Sequence, residues 1–192
     1  VTYSENSDFT EEVTIRIPNQ EVLSCFRAKQ KFLYGENNPY WFNQAMTLVV
    51  LLLENRTDEA QDLINSMLMS FLSVRNTRSE LYYHGFMVGV LGFACASKGI
   101  DFHEEIEKGD GFPDVVLKKK SSRTVTVLEF KKGNSDLPAL MESADSAAAQ
   151  IIEKKYAEPY IRAGYTKVYG IGIGFGGKDC VAKSLGNMAQ KK

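Results

Sequence analysis

Hydrophobic positions along the chain change period several times, and each change marks an element. Val13 to Ile17 alternates as a short strand. Pro18-Asn19 then opens a helix over about Gln20 to Leu33, which the Gly35-Glu36-Asn37-Asn38-Pro39 run stops. Trp41 to Glu54 and Asp58 to Ser73 read as an αα-hairpin with Thr57 as the second N-cap. In that second helix Leu63, Met67, Leu68, Phe71 and Leu72 fall at helical spacing, which predicts packing and nothing more. Ser79 to Ala96 is a further helix, with Glu80 and His84 one turn apart on a face that continues through Met87, Val88 and Leu91. Its Gly85, Gly89 and Gly92 each cost roughly 1 kcal/mol against Ala, so this side of the helix is expected to lie against another backbone.

The period then shortens to two. Asp101 to Glu107 reads as a strand, and Gly109-Asp110-Gly111 turns into a second one, Gly111 to Leu117, with Asp114 near its start. Thr124 to Lys132 is a third, rich in β-branched residues, and Lys118 to Arg123 is the connection between them. A helix starts at Asp136-Leu137-Pro138 and runs to about Tyr156, with Leu140, Ala144, Ala148, Ile151 and Ile152 as its stripe. Tyr165 to Phe175 and Lys178 to Lys183 close the pattern as strands. The glycines at 170, 172, 174, 176 and 177 lie inside a strand and no helix follows, so they are no phosphate loop; on one strand face they allow a helix to approach closely.

Composition changes this picture little. With 192 residues and average apolar and charged fractions the chain is one domain of ordinary size, with or without a helical appendage. The expected organisation is a mobile arm over 1–12, a strand and helical appendage over 13–76, and a core over 77–192. No apolar run is long enough to span a membrane. Cys25, Cys95 and Cys180 match no metal spacing and read as reduced thiols in an intracellular setting, either cytoplasmic or after delivery into another cell as an effector. Charge is uneven: residues 1–96 hold 7 Lys/Arg against 11 Asp/Glu, residues 97–192 hold 16 against 13. The positive half suits a phosphate-bearing ligand but falls well short of a dedicated DNA-binding domain.

The chemistry gathers in the third strand. Glu129 and Lys131 project from one face, together with Val125 and Val127. Ionisable groups on an apolar face are costly unless they coordinate something. Antiparallel pairing brings Asp114, at the start of its strand, against the end of the next, beside Glu129 and Lys131. Two carboxylates and a Lys suit a Mg²⁺ site, since that hard cation takes one or two carboxylates with water and phosphate oxygens.

Pro113-Asp114 with Glu129-Phe130-Lys131 fifteen positions on resembles the PD-(D/E)XK nuclease motif. The order helix, three strands, helix, strand is similar to that family's α/β core, a mixed β-sheet flanked by helices, here with an N-terminal helical appendage. Glu80 to Leu91, Ile17 to Val22, and Gln150 with Tyr156 resemble the nuclease-like domain that follows AAA-ATPase-like domains in many bacterial proteins. Phe112-Pro113 departs from that group, which often has a polar residue before the Asp, and no ATPase domain is present.

The resemblance implies a metal-dependent phosphodiester hydrolase, an endonuclease or exonuclease, that forms part of a larger polypeptide. Asp114, Glu129 and the Phe130 carbonyl would ligate Mg²⁺ or Mn²⁺, with Glu80 reaching it directly or through water. Lys131 would orient or deprotonate the attacking water, Gln150 would contact substrate or position Lys131, and Tyr156 and His84 are further substrate-side candidates. Lys118, Lys119, Lys120, Arg123 and Lys132 are expected to face the phosphate backbone of a nucleic acid, DNA favoured over RNA. Glu80 as a helix cap, His84 as a core residue and the lysines as a solvated loop are the plain structural alternatives. Two rival functions stand beside hydrolysis. One is a nuclease-fold binding or effector module that acts without turnover; the other is a small-molecule enzyme using Mg²⁺ and phosphate.

Overall fold

A computed structural model describes residues 2–3, 13–14, 39–71, 79–104 and 112–190. The chain divides into two compact units, Val1–Phe42 and Asn43–Lys192. In the first, β1 (Thr2–Tyr3) pairs antiparallel with β2 (Val13–Thr14), so part of the stretch expected to be a mobile arm is in a ladder. The helix expected over Gln20 to Leu33 and the turn at 109–111 lie outside the described residues.

In the second unit, helix α1 (Pro39–Leu53, which begins in the first unit), α2 (Thr57–Phe71) and α3 (Glu80–Lys98) precede β3 (Asp101–Glu104), β4 (Val115–Lys119) and β5 (Thr124–Lys132). Helix α4 (Leu137–Glu153), the short α5 (Glu158–Arg162), β6 (Lys167–Gly176) and β7 (Asp179–Asn187) follow. The five strands form one mixed sheet in the order β3-β4-β5-β6-β7. Only β5 and β6 run parallel, and α4 supplies the crossover that a parallel pair requires. Helices on both faces of a mixed sheet make this an α/β fold of the restriction-endonuclease-like kind.

The face that carries α4 is built by small residues. An added Cβ on Gly172 would lie 2.3 Å from the Ala148 nitrogen, and one on Gly174 would lie 2.3 Å from the Leu140 oxygen. The strand glycines thus admit the helix backbone itself, as their alternation predicts. Leu140, Ala144, Ala148 and Ile151 are buried as expected, but Ile152 is exposed because it falls off the 3.6-residue stripe that those positions define. Asp136 caps α4, its Oδ1 accepting from the Ala139 N–H at 3.0 Å. At the far end Val116, Val125, Val127, Ile151 and Tyr156 form a cluster that Tyr160, Tyr165, Leu185 and Met188 close.

The opposite face packs the helical hairpin and α3. Thr126 Oγ1 donates to the Leu52 carbonyl at 2.9 Å, so the buried hydroxyl is satisfied. Asn65 of α2 exchanges hydrogen bonds with both backbone groups of Cys180, and Gln61 accepts from the Ala182 N–H. Tyr83 of α3 stacks on Phe175 with centroids 4.9 Å apart and donates to the Gly177 carbonyl. A stacked pair of this kind adds about 0.5–1.5 kcal/mol to its buried area.

Two local expectations fail. An added Cβ on Gly85 or Gly89 meets nothing within 4 Å, and one on Gly92 meets only the Phe102 ring. Among the described residues no backbone therefore comes close to that side of α3, and these glycines weaken the helix without serving a close approach there. Thr57 is inside α2 rather than its cap; its hydroxyl donates back to the Asn55 carbonyl, and Arg56 O accepts the first helical N–H. Cys95 and Cys180 are free and buried, and burial pushes both thiols up, Cys95 to about 12. Among the described residues no helix is long and apolar enough to cross a membrane.

Candidate active site

Strand register fixes the site. Val115 pairs with Leu128, so β4 ends where the last four residues of β5 begin, and Asp114 sits just outside the ladder. The open edge of β5 beyond β4 exposes the backbone of Phe130 and Lys132, and two carboxylates occupy it. The Phe130 N–H donates to Asp114 Oδ2 at 2.7 Å, and the Lys132 N–H donates to Glu80 Oε2 at 3.0 Å. Because N–H and C=O of one extended residue leave the strand on the same side, the Phe130 carbonyl emerges on this edge as well.

Glu129 and Lys131 point to the α4 face, since they register with Gly172 and Gly174. Glu129 is 3% exposed. Its Oε1 accepts from Gln150 Nε2 on α4 and lies 3.8 Å from Lys131 Nζ. Gln150 Nε2 also lies 3.4 Å from Tyr156 Oη. Among the described residues Glu129 Oε2 is buried and has no hydrogen-bond partner, while the Asp114 backbone N–H acts on the carboxyl only enough to lower it against burial. Such an orphaned carboxylate oxygen is rare, because leaving a charged acceptor unsatisfied costs more than 1–3 kcal/mol, roughly the neutral-group penalty.

The electrostatics agree. Burial, then the Asp114 charge, pushes the Glu129 carboxyl up to about 8, with Lys131 pulling the other way. Burial also raises Asp114, opposed by its bond from the Phe130 N–H and by His84 and Lys131. Tyr156 is raised, first by burial. Glu80 adds repulsion to both carboxylates. The site is therefore short of positive charge, and a divalent cation would relieve it.

Sequence-predicted residues divide into those brought here and those sent elsewhere. Asp114, Glu129, Lys131, Gln150 and Tyr156 meet around the end of β5. His84 is also present, Nε2 3.8 Å from Asp114 Oδ1 and Nδ1 3.9 Å from Glu104 Oε1, with its ring edge-on to Phe130. Those distances are ion-pair contacts and not hydrogen bonds. Glu80 does not cap α3: its carboxylate is taken by the Lys132 N–H. Its charge also acts on Asp114 and Glu129, although among the described residues no three His, Cys, Asp or Glu side chains form a group that could hold a metal ion.

The loop lysines are not where the sequence pattern puts them. Lys118, Lys119, Lys120 and Arg123 are at the turn end of β4 and β5, and Asp114 and Glu129 at the open end. At about 3.3 Å per residue the length of β4 separates them by roughly 15 Å. Lys120 is instead paired with Asp101 at 2.9 Å. Of the expected backbone contacts, only Lys132 is at the site. Glu104 was not foreseen; its signal was its register with Val115, the neighbour of Asp114, which only the strand pairing reveals.

The chain matches the family model of the PD-(D/E)XK nuclease superfamily over residues 78–185, more than half its length. The chain belongs to the PD-(D/E)XK nuclease superfamily. No curated protein and no solved structure matches it. The matched region begins just before α3 and ends inside β7, so it takes in β3 to β6, most of β7 and every residue of the site.

Proposed function

We propose that this PD-(D/E)XK domain is a metal-dependent nuclease that hydrolyses phosphodiester bonds of nucleic acid, with DNA favoured over RNA. The observation that carries the reading is the buried, unpartnered Oε2 of Glu129 beside Asp114, on a strand whose next outward residue is Lys131. Asp114, Glu129 and the Phe130 carbonyl fit Mg²⁺ or Mn²⁺, hard cations that accept one or two carboxylates and complete their shell with water and phosphate. When bound, the cation supplies charge for the non-bridging phosphate oxygens and acidifies a water.

The chain's own residues do the rest. Gln150 donates to Glu129 Oε1 and so fixes the carboxyl, leaving Oε2 as its spare acceptor. Lys131 Nζ, 3.8 Å from Glu129 Oε1, is placed to orient the attacking water or take its proton, and to offset charge building on phosphorus oxygens. The Phe130 N–H fixes Asp114, and Glu80 fixes the backbone of Lys132, which presents a cation to the strand leaving the site. Tyr156 holds Gln150 from behind. His84 positions Asp114 from the α3 side. The domain would act inside a cell, as one part of a larger polypeptide that carries a partner domain.

Incubation with plasmid, linear duplex DNA, single-stranded DNA and RNA, each with EDTA, Mg²⁺ or Mn²⁺, tests the reading. Cleavage that needs the cation and is lost in Asp114→Asn and Glu129→Gln is the expected result. Nucleic-acid binding without cleavage under any cation would replace hydrolysis with the binding-module function.

A further inference from the structure

At the end of the sheet away from Glu129 lies a cavity of about 590 Å³ whose wall, among the described residues, includes five lysines and two carboxylates. We propose that it is a second anion site, which takes the polyphosphate of a nucleoside triphosphate. The lysines come from three separate parts of the chain: Lys98 at the end of α3, Lys118 to Lys120 at the end of β4, and Lys167 at the start of β6. A solvated charged loop would not explain that convergence.

Register makes the arrangement definite. Thr124 pairs with Lys119 on one side and with Lys167 on the other, so the two lysines flank it at one level across three strands. Residues at one level project to the same face, and adjacent strands are about 4.8 Å apart, which sets the two Cα atoms roughly 10 Å apart over a common floor. Like charges so placed repel unless an anion lies between them. One of the two carboxylates, Asp101, is engaged by Lys120 at 2.9 Å; the other, Glu54, lies 3.4 Å from Arg56. Among the described residues Lys98, Lys119 and Lys167 have no carboxylate within 4.0 Å, so their charge is available.

The floor favours a nucleoside over a bare phosphate. Tyr169, two residues beyond Lys167 and on its face, lines the cavity with Val50, Leu53 and Ile100. A half-buried phenol ring and three aliphatic side chains beneath a rim of lysines match a base or sugar carrying phosphates, and the volume lies within the roughly 300–1,000 Å³ of small-ligand pockets. The cavity is also on the wrong side for the scissile strand. Tyr169 registers with Thr126, whose hydroxyl meets α1, whereas Glu129 opens toward Gln150 of α4. The proposal is thus independent of hydrolysis at Glu129.

Isothermal titration calorimetry of the full chain in EDTA tests it, with adenosine triphosphate, inorganic tripolyphosphate and a 20-nucleotide single-stranded DNA as probes. The triphosphate nucleoside is expected to bind one to one, and more tightly than tripolyphosphate. Lys98→Gln, Lys119→Gln and Lys167→Gln combined should weaken it at least tenfold with an unchanged melting curve. Asp114→Asn should leave the affinity intact, and Tyr169→Leu should cost the nucleotide several-fold while sparing tripolyphosphate. Absence of nucleotide binding, equal binding by the triple variant, or loss in Asp114→Asn overturns the proposal. Equal affinity for tripolyphosphate overturns the nucleoside assignment. DNA binding that falls in the triple variant, with no nucleotide binding, replaces the site by a backbone contact.

Discussion

Glu129→Gln, studied with all metal chelated, isolates the cost of the buried charge. In the folded chain the Glu129 carboxyl is pushed from 4.5 up to about 8, chiefly by burial and next by Asp114. Once unfolded it titrates in the ordinary range, near 4.3. Between those values the folded state holds a proton that the unfolded state has released, so stability falls as pH rises. The contribution is whole below about pH 4.5 and gone above about pH 8. At 1.36 kcal/mol per unit the shift sets an upper bound of about 5 kcal/mol. Entering water and relaxation of Lys131 reduce this to about 2–3 kcal/mol, still a large share of the 5–15 kcal/mol typical of a domain. The glutamine side chain of the variant stays neutral at every pH. Urea denaturation of both proteins at pH 5, 7 and 9 should therefore show the parent losing about 2–3 kcal/mol relative to the variant across that range, with m unchanged. Adding Mg²⁺ at pH 9 to a hundredfold excess over Kd should return about 2.7 kcal/mol to the parent and little to the variant. A stability difference that stays within about 0.5 kcal/mol from pH 5 to 9 would show that Glu129 is not buried as a charge, and the metal argument would lose its basis.

Lys131→Ala should keep the metal-induced rise in Tm, or enlarge it, while cleavage measured on linear DNA falls by orders of magnitude, because in the proposed mechanism the ammonium would act on the transition state. Gly172→Ala should destabilise by about 1–3 kcal/mol or more, since its methyl would meet the Ala148 nitrogen at 2.3 Å; Gly89→Ala meets nothing and should stabilise by about 0.5–1 kcal/mol, both read by thermal melts.

Periodicity carried most of the fold. The alternation of Val125, Val127, Glu129 and Lys131 placed the last two on one face, and the glycines of β6 announced the close approach of α4, which the Ala144-to-Ala148 segment completes. The glycines of α3 look the same in sequence but meet no backbone among the described residues, and nothing in the structure explains their cost in helix propensity. Glu80 was legible as a site-edge residue but not its partner: a backbone N–H such as that of Lys132 has no sequence signature. His84 follows the same logic. Helical spacing put it on the Glu80 face, but its position between Asp114 and Glu104 depends on α3 crossing the open end of β4.

The hairpin lysines show how one pairing rule yields both a correct and an incorrect inference. Antiparallel strands that bring Asp114 beside Glu129 must send their connecting turn to the other end, and Lys118 to Arg123 are that turn. Their charge therefore lies at the other end of the sheet from Asp114 and Glu129, and Lys132 is left as the cation that β5 carries past those two carboxylates. Its backbone is held by Glu80, so its exposed side chain starts from a fixed point. Each phosphate contact contributes a salt slope of about 0.9 for duplex DNA. Catalytically silent Asp114→Asn protein provides the background for measuring Kd by fluorescence anisotropy from 50 to 300 mM salt. Lys132→Gln on that background should reduce the slope by up to about 0.9, while Lys118→Gln, Lys119→Gln and Lys120→Gln together leave it unchanged. A slope that falls with the three turn lysines and not with Lys132 would mean that DNA runs along the far end of the sheet, and the site at Glu129 would no longer be where the strand is held.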